Sequence, residues 1–137
     1  MIKVFIGYDP HETVAWHVLT HSILKHSTSP VSFIPIAKQH IKDLYNKSKQ
    51  GYESTEFSMT RFLTPHLSDY NGWSIFLDCD MLVTSDITEL WNLRDDRYAV
   101  MCTKHDYTPS TSTKFLNQKQ SKYEKKNWSS VMMFNNA

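Results

Sequence analysis

Apolar positions along the chain follow two rhythms. Short unbroken runs occupy residues 2–7, 31–37, 73–77, 98–103 and 131–134, and each is bounded by turn residues. Runs of this length read as buried strands. Between them the spacing becomes helical. Residues 11–26 put Ala15, Val18, Leu19, Ser22 and Ile23 on one face, with Asp9 or the Pro10 turn at the start and Thr28-Ser29-Pro30 at the end. Residues 57–67 put Met59, Phe62, Leu63 and Leu67 on roughly one side, with Pro65 near the end. Residues 40–45 and 87–93 read as short helices, the second capped by Asp86. Residues 46–54 read as a polar surface loop. Residues 104–127 read as a long polar loop with only Phe115-Leu116 as an apolar anchor. Strand, helix, strand within the first 37 residues is a βαβ unit, so a parallel pair with a right-handed crossover is expected. The predicted class is α/β.

One apolar run ends in chemistry. Trp73-Ser74-Ile75-Phe76-Leu77 is followed by Asp78-Cys79-Asp80, and Met81-Leu82-Val83 is apolar again. Two acids at the end of a buried strand are costly unless their charge is compensated. Carboxyl ends of strands in open α/β sheets are also where ligands bind. A divalent cation held by Asp78 and Asp80 accounts for both, and hard oxygen ligands suit Mg²⁺ or Mn²⁺. Asp-x-Asp is a common tripeptide in exposed loops; the apolar frame on both sides is what sets this one apart.

Composition narrows the options. The 137 residues make one domain, 1–137, and 40% hydrophobic content is that of a folded chain. Fifteen basic against fourteen acidic side chains leave +1, so no general attraction to nucleic acid or anionic membrane is expected, and an anionic partner needs a local site. No run approaches the length of a membrane span. Cys79 and Cys102 match no zinc spacing; reduced, buried thiols in a cytoplasmic protein are the expectation. His17 and His21 have an i, i+4 spacing without a third ligand, which favours a structural or exposed role. A sequence ending on a buried strand suggests a truncated form, or else a minimal natural version.

Assembled, the pattern resembles nucleotide-sugar glycosyltransferases of the GT-A fold, nearest to glycosyltransferase family 8. Val4-Phe5-Ile6-Gly7-Tyr8-Asp9 resembles the first strand and turn that hold the nucleoside. Ser58-Met59-Thr60-Arg61-Phe62 resembles the helix with a basic residue facing the donor. Phe76-Leu77-Asp78-Cys79-Asp80-Met81-Leu82-Val83 resembles the Asp-x-Asp strand, and Asp86-Ile87-Thr88-Glu89-Leu90-Trp91 the short helix after it. Residues 127–135 resemble a strand usually introduced by Asn-small-Gly; here Trp128 displaces the asparagine and Ser130 replaces the glycine.

The resemblance implies a three-layer sandwich on a mostly parallel mixed sheet, and a metal-dependent transfer of sugar, with retention and no defined protein nucleophile. It implies a nucleoside diphosphate sugar donor, UDP-sugar favoured, an unknown acceptor, and Mn²⁺ or Mg²⁺. Asp78, Asp80 and Arg61 would carry catalysis, Asp78 and Asp80 the metal. Ile6, Gly7, Tyr8, Asp9, Arg61, Asp78 and Cys79 would contact the nucleotide sugar. His105, Asp106, Ser129 and Ser130 would face the donor sugar or acceptor. The resemblance implies a third metal ligand, a histidine from a later segment, which is either absent or comes from elsewhere. Lys114, Lys119, Lys122, Lys125 and Lys126 could attract an acidic acceptor, though a solvated loop is the simpler expectation. Two rival readings stand beside this one. A haloacid-dehalogenase-type phosphatase also places Asp-x-Asp after an apolar strand, but lacks Met81-Leu82 there. A non-catalytic nucleotide-sugar-binding module would share the site without the transfer.

Overall fold

The computed structural model describes residues 1–48, 53, 55–110, 113–114, 118–119 and 124–137. Strand β1 (Ile2–Tyr8) leads through a 3-10 turn (Pro10–Glu12) into helix α1 (Thr13–His26) and strand β2 (Val31–Ala37). A 3-10 turn (Thr60–Leu63) runs into helix α2 (Thr64–Leu67), followed by strand β3 (Trp73–Leu77), helix α3 (Ile87–Trp91) and strand β4 (Val100–Cys102). Two-residue strands β5 (Thr113–Lys114) and β6 (Gln118–Lys119) pair with each other, and a 3-10 turn (Trp128–Ser130) delivers strand β7 (Val131–Asn135).

The main sheet runs β2-β1-β3-β7-β4. β1 lies parallel to β2 and to β3, with Ile6 opposite Leu77, whereas β7 is antiparallel to β3 and β4. The expected βαβ parallel pair is present, within a mixed sheet. The centre is dry: Val4, Phe5, Ile6, Ile75 and Phe76 have no exposed surface. Each such side chain contributes ~1.5–3 kcal/mol on burial. Leu19 and Ile23 of α1 and Phe57 join the same core.

Five local expectations are corrected. In α1 the inward face is Leu19, Thr20, Ser22 and Ile23, and Val18 is 48% exposed. The face is turned because the Ser22 hydroxyl reaches inward to accept from the Val83 amide at 3.0 Å. Residues 57–67 form a turn, a 3-10 segment and a short α-helix in place of one helix. Thr60, Arg61 and Thr64 face inward, while Met59 and Phe62 are exposed. Pro65 occupies the first turn of α2, where its missing N–H costs nothing. Residues 40–45 contain only turns after a 3-10 piece at Lys38–His40. Cys102 is exposed on edge strand β4, and Lys126 is buried. By contrast, Asp86 caps α3 as expected, accepting from the Thr88 amide at 2.9 Å. Phe115, Leu116 and Lys122 lie outside the described residues, as do the side chains of Lys114 and Lys119 and part of 46–54. No described helix is long and apolar enough to cross a membrane.

Candidate functional site

The parallel register brings the ends of β1 and β3 to one edge of the sheet, so Gly7 and Tyr8 stand beside Asp78 and Cys79. The β3–β7 ladder extends one residue past the strand, since the Asp78 amide donates to the Ser130 carbonyl at 3.0 Å. That bond fixes the first acid against the turn that carries Ser129 and Ser130.

Asp78 is paired with a cation. Arg61 Nη1 stands 3.0 Å from its Oδ1. Nη1 spends its hydrogens on the Ser129 carbonyl at 2.8 Å and the Ser129 hydroxyl at 3.1 Å, so the buried Oδ1 has an ion-pair neighbour but accepts no hydrogen bond. Burial pushes the Asp78 carboxyl above its ordinary value. Arg61 and the Ser130 hydroxyl oppose that shift, and Asp80 adds to it. The guanidinium sits 5.5 Å from the Phe57 ring centre and 5.2 Å from that of Phe76. It is therefore clamped between rings, a serine and an acid. Arg61 is buried, and its guanidinium reaches the strand end through Asp78.

Cys79 is fully buried and Asp80 exposed. The Cys79 thiol donates to Glu12 Oε2 at 3.2 Å. Burial and that carboxylate both push the thiol pKa upward, so it is an inert donor, not a nucleophile. Burial raises the Glu12 carboxyl, the Cys79 bond opposes it, and repulsion from Asp80, Asp9 and Asp78 adds to it. Glu12, Asp78 and Asp80 thus crowd the strand end, with Asp9 behind them and Arg61 against Asp78. Among the described residues no group of three or more His, Cys, Asp or Glu is arranged to hold a metal.

On β1, Ile6 is buried and Tyr8 half-buried, its hydroxyl 3.5 Å from that of Thr13. Asp9 is turned inward. Its side chain is fully buried, with Oδ1 accepting from the His11 amide and ring and Oδ2 from the Glu56 amide. It caps the Pro10–Glu12 turn and grips the turn before Arg61. His105 and Asp106 are exposed, and the Trp128 indole donates to the His105 carbonyl at 3.0 Å. That bond ties the loop after β4 to the Ser129 turn. A separate cavity of about 260 Å³ is lined by Leu77, Met81, Leu82, Ile87, Leu90 and Val131 among others; neither Asp78 nor Asp80 lines it.

The structure thus brings Tyr8, Arg61, Asp78, Cys79, Asp80, Ser129 and Ser130 to one edge, with the His105 loop alongside. Sequence reasoning missed Glu12 and Phe57. No local signal marks either one, because Glu12 meets its partner across 67 positions and Phe57 meets Gly7 across the sheet edge.

Comparison with known proteins agrees with this fold. "Protein CDI" of Arabidopsis thaliana is 51% identical over 135 residues, covering 97% of this chain and 52% of that protein. The chain therefore spans about half the length of this curated relative. The bifunctional glycosyltransferase WbbM superposes with a TM-score of 0.62 at 14% identity over 98% of this chain and 31% of its own. The glycosyltransferase GlyE of Streptococcus pneumoniae TIGR4 superposes with a TM-score of 0.54 at 16% identity, over 98% of this chain and 34% of its own. At such identities the likeness shows the fold. The sequence profile described as glycosyl transferase family 8 matches residues 8–137, nearly the whole length, and the chain belongs to that family.

Proposed function

We propose that this protein moves a sugar from a nucleoside diphosphate sugar, UDP-sugar favoured, to an acceptor, with retention at the anomeric carbon and with Mn²⁺ or Mg²⁺. The observation that carries the reading is the pair Asp78 and Asp80 at the carboxyl end of a central strand, with the end of β1 beside it. The residues fit a dication: Asp78 offers a buried oxygen without a hydrogen bond, Asp80 is open, and the surrounding acids outnumber the one arginine. When bound there, the cation would neutralise the charge that grows on the leaving diphosphate.

The chain's own residues orient the rest. Arg61 holds Asp78 in place and opposes the upward push of burial on its carboxyl. Asp80 supplies the exposed second carboxylate. Tyr8 offers a ring on which a base can stack. Ser129 and Ser130 border the sugar side, and His105 and Asp106 the acceptor side. Asp9 shapes the cleft from behind. Family membership removes the ground for the phosphatase reading. A cytoplasmic location accords with two unpaired cysteines, and residues 1–137 act as one donor-binding unit.

The test is a thermal-shift series with UDP and UDP-sugars, with and without Mn²⁺. Saturation at about a hundred times Kd adds ~2.7 kcal/mol, or roughly 10 °C for a chain of this size. The rise is expected only when Mn²⁺ and nucleotide are both present, and Asp80→Asn abolishes it with the fold intact. No shift with any nucleoside diphosphate, with or without metal, overturns the reading. Binding without hydrolysis or transfer identifies a binding module.

A further inference from the structure

We propose that Glu12 is a positioning residue for the Asp78-Cys79-Asp80 turn, acting through the buried thiol of Cys79. The inference rests on the reading that this turn holds a cation and a diphosphate.

The Cys79 thiol is the middle side chain of the turn and has no exposed surface. Its hydrogen bond to Glu12 Oε2, at 3.2 Å, fixes how the turn is rotated about its own backbone. Arg61 and the Ser130 carbonyl hold Asp78 from the other side, so this contact from the middle residue is what sets the turn toward Asp80. Glu12 is poorly placed for stability alone. A thiol is a weak donor, and the carboxylates of Asp80, Asp9 and Asp78 all repel Glu12. A carboxylate kept among like charges for one weak bond is explained by what the bond holds.

The surroundings sharpen the argument. The chain after β3 is laid along α1 and its approach by polar ties in matching order. Glu12 holds Cys79, the Ser22 hydroxyl holds the Val83 amide at 3.0 Å, and Thr28 holds the Asp86 carboxylate through its hydroxyl and amide. The second and third ties anchor the segment beyond the motif. Only the first lies inside it. If all ties serve the fold alone, cutting any of them lowers stability and nothing else. If Glu12 positions the turn, cutting its tie also weakens the ligand.

The experiment measures Mn²⁺–UDP affinity by calorimetry beside the melting temperature. Glu12→Ala and Cys79→Val are each expected to raise Kd by about 10–100-fold, the usual cost of losing a residue that orients a metal ligand. Glu12→Gln, which keeps an acceptor oxygen for the thiol, restores most of the affinity. The double variant is no worse than either single one, because both remove the same contact. Thr28→Val lowers the melting temperature and leaves Kd unchanged. Should Glu12→Ala fail to fold, Cys79→Val and Glu12→Gln carry the comparison. Affinity unchanged in the Cys79 and Glu12 variants overturns the tether and leaves the donor-binding reading standing. Equal losses in Glu12→Gln and Glu12→Ala also overturn it, in favour of charge. Absence of Mn²⁺–UDP binding by the unaltered protein overturns both.

Discussion

The ring of Phe57 lies on Gly7, and that contact decides what residue 7 can be. A Cβ there would sit 2.3 Å from Phe57 Cγ and 2.4 Å from Cδ2, distances no real side chain occupies. The ring is only 2% exposed and is wedged against Phe76 at 6.5 Å and under the Arg61 guanidinium, so it has nowhere to swing. Gly7→Ala is therefore expected to cost ~1–3 kcal/mol, the range for overpacking a filled core. It should also loosen Arg61 and with it Asp78. A urea melt reads the first effect; an unchanged midpoint would show that the ring yields freely. Trimming the ring in Gly7→Ala/Phe57→Leu should recover part of the loss. Gly7 was legible in the sequence as a residue of the strand-to-turn junction. Its reason was not, because the partner is 50 positions away and carries no local mark.

Two elements meet at Asp9, which makes a cap into a hinge pin. Its Oδ1 caps the start of the first 3-10 turn and its Oδ2 holds the Glu56 amide, so β1 and the segment leading to Arg61 are fixed to each other by one carboxylate. Burial alone would raise its pKa, but the amides of His11 and Glu56 and the His11 ring outweigh that and hold it below the ordinary 3.8. A carboxyl lowered on folding contributes stability above its unfolded value, and that contribution drains away as pH falls through the folded value. Asp9→Ala is accordingly expected to lose ~1–3 kcal/mol at neutral pH, since two amides lose their acceptors. Its melting temperature should fall less steeply below pH 3.8 than that of the unaltered protein. Parallel acid-melting curves would refute the assignment. The same pin explains why residues 57–67 were misread. The apolar runs of β1, β3 and β7 are set by burial on both faces and were legible residue by residue, and edge strand β2 was legible from its apolar run although only Ile36 and Ala37 are buried. The facing of residues 57–67 is set by Asp9 behind and Asp78 ahead, both distant in sequence, and the local period had no access to either. The acid pair at residues 78 and 80 was legible because a polar break in an apolar run is itself a local signal; its holders, Arg61, Ser130 and Glu12, meet it from three other elements.

At the scale of the molecule, stability is graded across the sheet from centre to edge. β1 and β3 each have a partner on both sides, and the paired residues Val4, Phe5, Ile6, Ile75, Phe76 and Leu77 are nearly or wholly buried. β4 is an edge of three residues bonded only to β7, with Val100 and Cys102 exposed. Amides of residues 4–6 and 75–77 should therefore exchange hydrogen only through global opening, while those of residues 100–102 exchange through local opening at lower free energy. The candidate site lies where these regimes meet. Its floor is the ends of β1 and β3, and its rim is the chain of residues 78–83 together with the turn at 128–130. A ligand that bridges Asp78 and Asp80 should leave the central strands at their ceiling and slow exchange mainly in that rim. Exchange measured with and without Mn²⁺–UDP separates these regions. Protection gained at residues 78–83 and 128–130, with 100–102 unchanged, is the expected map. Protection spread evenly over the sheet would mean that the ligand stabilises the whole fold from some other place, and the edge formed by β1 and β3 would lose its claim to the chemistry.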